Sequence, residues 1–442
     1  MQRVACINQV HRRINEYIAW NAEVLLSGRW PMVGFYGESF PAGTQRARLA
    51  GTPLVPVRGL GACIAATHND CKARKEVHNL TNWYRCAVMC DLCAATSGTT
   101  ERTYMHLVEE AECLQTPLPE ACTSGYMAVP GFRHEHMYFD WSHLWYLGCA
   151  RDVVACCLCL LLEIGVLRRW VFHAFFMDLP QNNEGRDRCL YLAWLRCRQW
   201  LVQNSLSAPS RCPFSLNSFG RTGPGKRPTT PTWVKCSSLK QMCRWLPDFL
   251  QELRAFWPEG TADIRSAMGV LAWSVASVQH RLDTARSSWL SDAQRRPVVH
   301  ELRLHLRLYH WLRLRFGALA LFLPRPKHHY LMHVLGLIRR TGMNPVALDC
   351  MNSESFLGKV KRLGKHAHKR TVAYRALQRY VEVVALRFEK RRRRSMRQQW
   401  RESVISGSSL ISHCCRVYHD SPPLLALSSM AQTVSSLAHC VA

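Results

Sequence analysis

In the stretch FDWSHLWYLG, residues 139–148, Asp140 and His143 stand three positions apart inside a run of aromatic and aliphatic side chains. A buried carboxylate is costly unless a partner compensates it. The pair therefore reads as a hydrogen-bonded core pair, as half of a metal site or as part of a catalytic one. Upstream, CAVMCDLC carries Cys90 and Cys93 as a C-x2-C half-site. Zinc normally takes four such ligands, so His143, His136 or His78 would have to complete it. Downstream, HHYLMHV places His329 and His333 one helical turn apart, able to share a metal. No Glu sits where a metalloprotease helix needs one, so core or surface histidines are the expectation there.

Two further acids stand at element boundaries. Asp70 lies between a small apolar run, LGACIAATHN, and an amphipathic stretch, CKARKEVHNLTNWY. Strand, acid, helix in that order puts the carboxylate at a sheet's carboxyl edge, where α/β proteins place their chemistry. A plain helix cap would use the same residue. Glu354, in NSESFLGKVKR, precedes a basic segment with Lys359, Lys361, Arg362, Lys365, Lys369 and Arg370, and EKRRRR farther on supplies Arg391 and Arg392. Such a segment is either a solvated face with a first-turn acid or a set of phosphate contacts. The chain carries no P-loop, no GxGxxG, no G-x-S-x-G and no kinase signature. This argues against most nucleotide-dependent and hydrolase classes.

Behind these residues, 442 positions suffice for at least one large core. With 58 Lys and Arg against 31 Asp and Glu, the net charge is +27, which points to a polyanionic partner. The N-terminus lacks the apolar core of a secretory signal. The most apolar run, Val153 to Val166, is broken by Glu163 and falls short of the ~20 residues of a membrane span. Twenty-one cysteines scattered through apolar segments suit free thiols in a reducing compartment. Nuclear or cytoplasmic residence is expected, and EKRRRR has the composition of a nuclear import signal.

Helical spacing covers residues 1–27, and helices are expected over 143–177. Short Gly-bounded runs from Trp30, PMVGFYGESF among them, suggest buried strands. Residues 178–232 are assigned to a loop or linker, on the Ser-, Pro- and Gly-rich stretch 203–232. Helical spacing resumes over 233–323. There ELRLHLRLYHWLRLRF alternates Leu with Arg or His like a strand, yet Leu304, Leu308 and Trp311 share a helical face, and helix is the better reading. A further helix is expected from Thr371 to Ser403, and residues 405–442 read as a disordered or loosely packed tail.

In order, the Trp-Pro strand opening, HNDCKARKE, CDLC, FDWSHLWYLG, PKHHYLMHV and NSESFLGKVKR resemble transposases of the CACTA and hAT kind, especially the multicopy transposase-like proteins of protist genomes. The resemblance implies an α/β core with a mainly α remainder. A partial RNase H-like sheet over 28–177 would be interrupted by a helical insertion at 233–323 and completed by 324–404. It implies that Asp70 is the second acid and Glu354 the last of an Asp-Asp-Glu site holding Mg²⁺ for strand transfer on DNA. It also implies that Cys90 and Cys93 match a C-x2-C element, and that Asp140 and His143 match a D-x2-H element able to share a zinc with it. The first acid has no counterpart, because residues 1–69 hold no Asp and only Glu16, Glu23 and Glu38. Its loss with upstream strands is the expected reason, and a remnant inactive in strand transfer is the expected outcome. A non-enzymatic basic nucleic-acid-binding protein is the alternative.

Overall fold

The computed structural model describes residues 2–54, 67–69, 71–98, 101–116, 125–206, 213–221, 226, 228 and 236–349, together with Glu382, Leu386, Glu389, Ser395, Met396 and Gln398. The chain divides into two units, Met1–Cys350 and Met351–Ala442. The description below concerns the first. Asp70, Glu354, Lys359, Lys361, Arg362, Lys365, Lys369, Arg370, Arg391 and Arg392 all lie outside the described residues. So do most of the expected helix from Thr371 to Ser403 and all of the expected tail.

The described architecture is mainly α. The N-terminal part holds α1 (Gln2–Ser27), α2 (Gln45–Leu49), β1 (Thr67–Asn69), α3 (Cys71–His78), α4 (Glu112–Gln115) and β2 (Met137–Phe139). The helical body follows with α5 (Arg151–Glu163), α6 (Val166–Phe175), α7 (Asn183–Gln203), α8 (Cys236–Glu252), α9 (Ala262–Thr284), α10 (Asp292–Phe316) and α11 (Pro326–Thr341). Local chemistry sets many of the boundaries. Asn182 caps α7 by accepting from the Gly185 N–H at 3.0 Å. Ser291 and Gln294 form a reciprocal capping box on α10. Pro326 opens α11, and Gly342, at φ +71°, closes it in the left-handed conformation glycine tolerates. The helix at 183–203 corrects the linker assigned to 178–232. Asn182 starts it, and Cys189, Leu190, Ala193, Cys197 and Leu201 are buried along it.

Strand content is small. Thr67, His68 and Asn69 pair in parallel with Met137, Tyr138 and Phe139. The segment from Trp30 forms no strand: Arg29–Pro53 and Val33–Ser39 are isolated antiparallel bridges around tight turns. Its Gly37 and Gly43 both sit at φ +80°, which breaks an extended run. Thus the mainly α character holds, while the described sheet is a single two-stranded pair.

One contiguous core joins the C-x2-C segment to α5 through α11. Its deepest element is the run Ser142–Glu163, which opens with a wide π turn over Ser142–Ala150 and continues as α5. By length and composition it could cross a membrane, yet 89% of its most apolar window is buried inside the protein. Trp141 and Trp145 stack there at 5.1 Å, both fully buried. Against Trp145 lies His305 of α10, its ring 5.0 Å away and 0% exposed. Neither His305 ring nitrogen has a hydrogen-bond partner among the described residues.

Burial pushes the His305 pKa down to about 3. In the unfolded chain it returns to its ordinary value near 6.5, so below that pH the unfolded state binds a proton that the folded state refuses. Stability is then fully present above about pH 6.5 and declines as pH falls toward 3, with a slope of about 1.4 kcal/mol per pH unit for this one group. His305→Leu should flatten this part of the acid limb in urea titrations taken from pH 7 to 4. An unchanged slope would mean that His305 titrates normally.

Candidate metal centre

The two cysteines of CDLC sit in a tight antiparallel turn. Met89 N–H donates to the Ala95 carbonyl at 2.8 Å and Ser97 N–H to the Ala87 carbonyl at 2.9 Å. Inside this knuckle the Leu92 N–H points at Cys90 Sγ, 3.4 Å away, a contact that favours the thiolate. α11 presents His329 and His333 on one face, four residues apart, as helical geometry requires. Their imidazoles meet the knuckle: Cys93 Sγ lies 3.2 Å from His329 Nε2, and Cys90 Sγ lies 3.3 Å from His333 Nε2. The two Nε2 atoms are 3.2 Å apart. All four donor atoms fall within 4.8 Å of one another, with three residues buried and His333 half-buried.

These separations suit a tetrahedron. Bonds of ~2.0–2.1 Å to nitrogen and ~2.3 Å to sulfur give edges of roughly 3.3–3.8 Å. Two neutral imidazoles facing each other through Nε2 can share one N–H as donor and acceptor, and a cation between them would instead take both nitrogen lone pairs. The thiols carry the same message. Burial drives the Cys90 thiol up, but hydrogen bonds to Cys93 and the two histidines, with His333's charge, outweigh it and hold Cys90 well below the thiol range. Cys93 is pushed the opposite way, by its bonds to Cys113 and Cys90 and by burial. Two adjacent thiols cannot both ionise in a dry site without a cation to offset the charge.

A further layer holds the knuckle in place. Asp91, between the two cysteines, is 3% exposed and accepts from Arg74 Nη1 at 2.7 Å and from His134 Nε2 at 2.7 Å. Arg74 comes from α3 and also covers the Phe139 ring at 4.1 Å. Tyr330, next to His329, donates its hydroxyl to the Met89 carbonyl at 2.9 Å and stacks on Phe139 at 4.5 Å. Cys113, on α4, is buried and hydrogen-bonds to Cys93 and His329.

The histidines that sequence spacing offered to the cysteines are elsewhere. His78 is buried, contacts Thr67 Oγ1 at 3.0 Å, and is lowered to about 4 by burial and by Arg74. His136 uses Nδ1 to accept from the Arg133 N–H at 3.0 Å. His143 gives Nδ1 to Asp140 Oδ2 at 2.5 Å, and the same oxygen accepts the His143 N–H at 2.7 Å. Asp140 and His143 therefore form a local pair where the chain leaves β2 and enters the π turn, and do not share the four-donor cluster. Lys327 reinforces that turn from α11, donating to the carbonyls of His143 at 2.7 Å and Leu147 at 3.1 Å. His329 and His333, rather than those three, are the histidines brought to the two cysteines, in a cluster that could hold a metal ion. Their i, i+4 spacing was the available signal. What spacing could not supply was a meeting with cysteines 236 and 243 residues away.

If Asp91 anchors the knuckle, Asp91→Ala leaves the Arg74 guanidinium buried without its carboxylate. A loss of about 3–5 kcal/mol is expected in chemical denaturation, whereas Glu76→Ala, on the exposed side of α3, should cost little. Equal effects of the two would remove Asp91 from the anchoring role. Comparison with protein-family models, curated proteins and solved structures finds no match to this chain.

Proposed function

We propose that this chain is a DNA-binding protein of transposase descent whose body is locked by one structural zinc ion on Cys90, Cys93, His329 and His333. The convergence of those four side chains carries the zinc assignment. Thiolate and imidazole donors suit zinc, and four protein ligands leave no open position for a substrate, which is the signature of a structural rather than a catalytic site. Magnesium wants oxygen ligands and does not belong in this cluster. Any Mg²⁺ would belong to the acids that the resemblance assigns, Asp70 and Glu354.

Support for the descent is the order of sequence motifs, together with the parallel pair β1–β2. β2 runs directly into buried Asp140, and Asp70 follows β1 in the sequence. Support for a DNA partner is the charge of +27. Strand transfer is not part of the proposal, because the resemblance places only two of three acids. The Lys390–Arg394 run supports nuclear residence. The alternative, a non-enzymatic basic nucleic-acid-binding protein of unrelated origin, shares both the zinc and the DNA expectations.

Purified under reducing conditions, the protein should contain about one zinc per chain by elemental analysis, following from one four-ligand site. Chelation, or Cys90→Ser with His333→Ala, should remove it and lower the thermal midpoint. Protein that carries no zinc, with a melting curve indifferent to chelator, would remove the zinc reading. Duplex DNA binding should weaken steeply with salt, and supercoiled DNA should stay uncut in Mg²⁺ or Mn²⁺. Cleavage abolished by Glu354→Gln would restore an active enzyme.

A further inference from the structure

The alternating run in α10 acquires a different meaning once it is wound into a helix. Val299, Leu302, Leu306 and Tyr309 turn inward and are buried. Arg296, His300, Arg303 and Arg307, spaced 4, 3 and 4 apart, then fall on one outward stripe. Arg296, His300 and Arg307 are exposed, and Arg303 is 36% exposed. At 1.5 Å per residue the stripe runs about 16 Å, with one basic group per turn.

Several other arginines of the helical body are matched to acids: Arg281 to Glu301 at 2.8 Å, Arg295 to Asp292 at 2.7 Å, Arg315 to Asp263 at 3.1 Å and Arg196 to Glu252 at 2.8 Å. Arg296 and Arg307 have no carboxylate partner among the described residues. Among the described residues the acid that reaches the stripe is Glu109, which accepts from Arg303 Nε at 3.0 Å and lies 3.6 Å from Arg339 of α11. That shared carboxylate ties the end of α11 beside the stripe and brings Arg339 with it. Arg340, next in sequence, is exposed. An exposed helix stripe of this kind leaves most of its cations uncompensated by protein acids. Ordinary solvated faces intersperse the two signs.

We infer that the outward stripe of α10, with Arg339 and Arg340 beside it, is a docking surface for the phosphate backbone of duplex DNA. Duplex DNA presents one phosphate per ~3.4 Å of each strand, so a stripe of about 16 Å with arginines at both ends spans several phosphates. The contacts are to phosphate and carry no sequence preference. This rests on the DNA-binding reading above and adds to it an interface on the helical body.

The experiment uses the full-length, metal-loaded chain and a mixed-sequence duplex, with affinity measured against salt concentration. The variant is Arg296→Ala with Arg307→Ala, both exposed and outside the metal centre. The control is Arg188→Ala with Arg254→Ala, both exposed and off the stripe, which should bind as the parent does. The stripe variant should bind about tenfold or more weakly near 0.1 M salt, and its slope of log affinity against log salt should fall by about 1.8, since each lost contact removes about 0.9. Its zinc content and melting curve should match the parent's. A stripe variant that binds DNA with the parent's affinity and slope would overturn the assignment while leaving DNA binding intact. A parent protein that fails to bind duplex DNA at low salt would overturn both. Binding to anionic phospholipid vesicles that the stripe variant loses, with DNA binding unchanged, would reassign the surface to a membrane and count against the proposal.

Discussion

The contact between the CDLC knuckle and α11 is the joint on which the rest of the described unit depends. Four donors from two segments more than 230 residues apart point at one small volume. Left to itself such a volume is unfavourable: two thiols and two imidazoles in a dry site compete for protons and repel when like-charged. A divalent cation turns the same arrangement into a strong constraint, and closing so long a loop with one ligand set restricts the unfolded chain heavily. The N-terminal segments are also tied to α10, where Arg303 donates to Glu109 and Arg313 to the Met105 carbonyl. Through the knuckle and Tyr330 they are fastened to α11, and through α11 to α10 and the π turn.

Around that joint the polar groups are layered by function. Asp91, Arg74 and His134 form a buried polar cluster behind the knuckle, in which the Arg74 guanidinium and the Asp91 carboxylate offset each other's desolvation. Asp140 and His143 form a second one at the entry to the buried run, with Lys327 capping the carbonyls of the π turn. A π turn leaves backbone groups poorly matched, and a long cation from a neighbouring helix compensates them. Both clusters lie against β2, whose three residues are all buried. The short parallel pair lies between the Cys–His cluster and the Asp140 turn.

The helical body is a different kind of object, held by apolar burial. Trp141, Trp145, Trp245 and Phe249 fill its interior, and the cysteines of α5 behave as small apolar side chains whose thiols burial raises. The polar face of that body is where its charge resides. Because α10 buries every third or fourth residue, its arginines are sorted outward without any special signal beyond helical periodicity.

Much of this was written in the chain itself. Helical spacing marked α1, α8, α9 and α10, because periodic apolar residues have one way to be buried. Caps such as Asn182 and Ser291, and the pair Pro326 and Gly342, fix helix ends by local chemistry too, yet they went unread, and Asn182 fell inside the stretch assigned to a linker. The cysteine half-site and the histidine pair were each visible for the same local reason, as was the Asp140–His143 pair. Their partnership was not, because ligand spacing reports only what lies within a turn or two of the chain. Tertiary packing chose His329 and His333 over His78, His136 and His143. The Trp30 segment lost its expected strand to local chemistry, since Gly37 and Gly43 in the left-handed region turn it. Local chemistry decides which residues are able to bind, cap or turn. Only the packing of segments distant in sequence decides which of them meet.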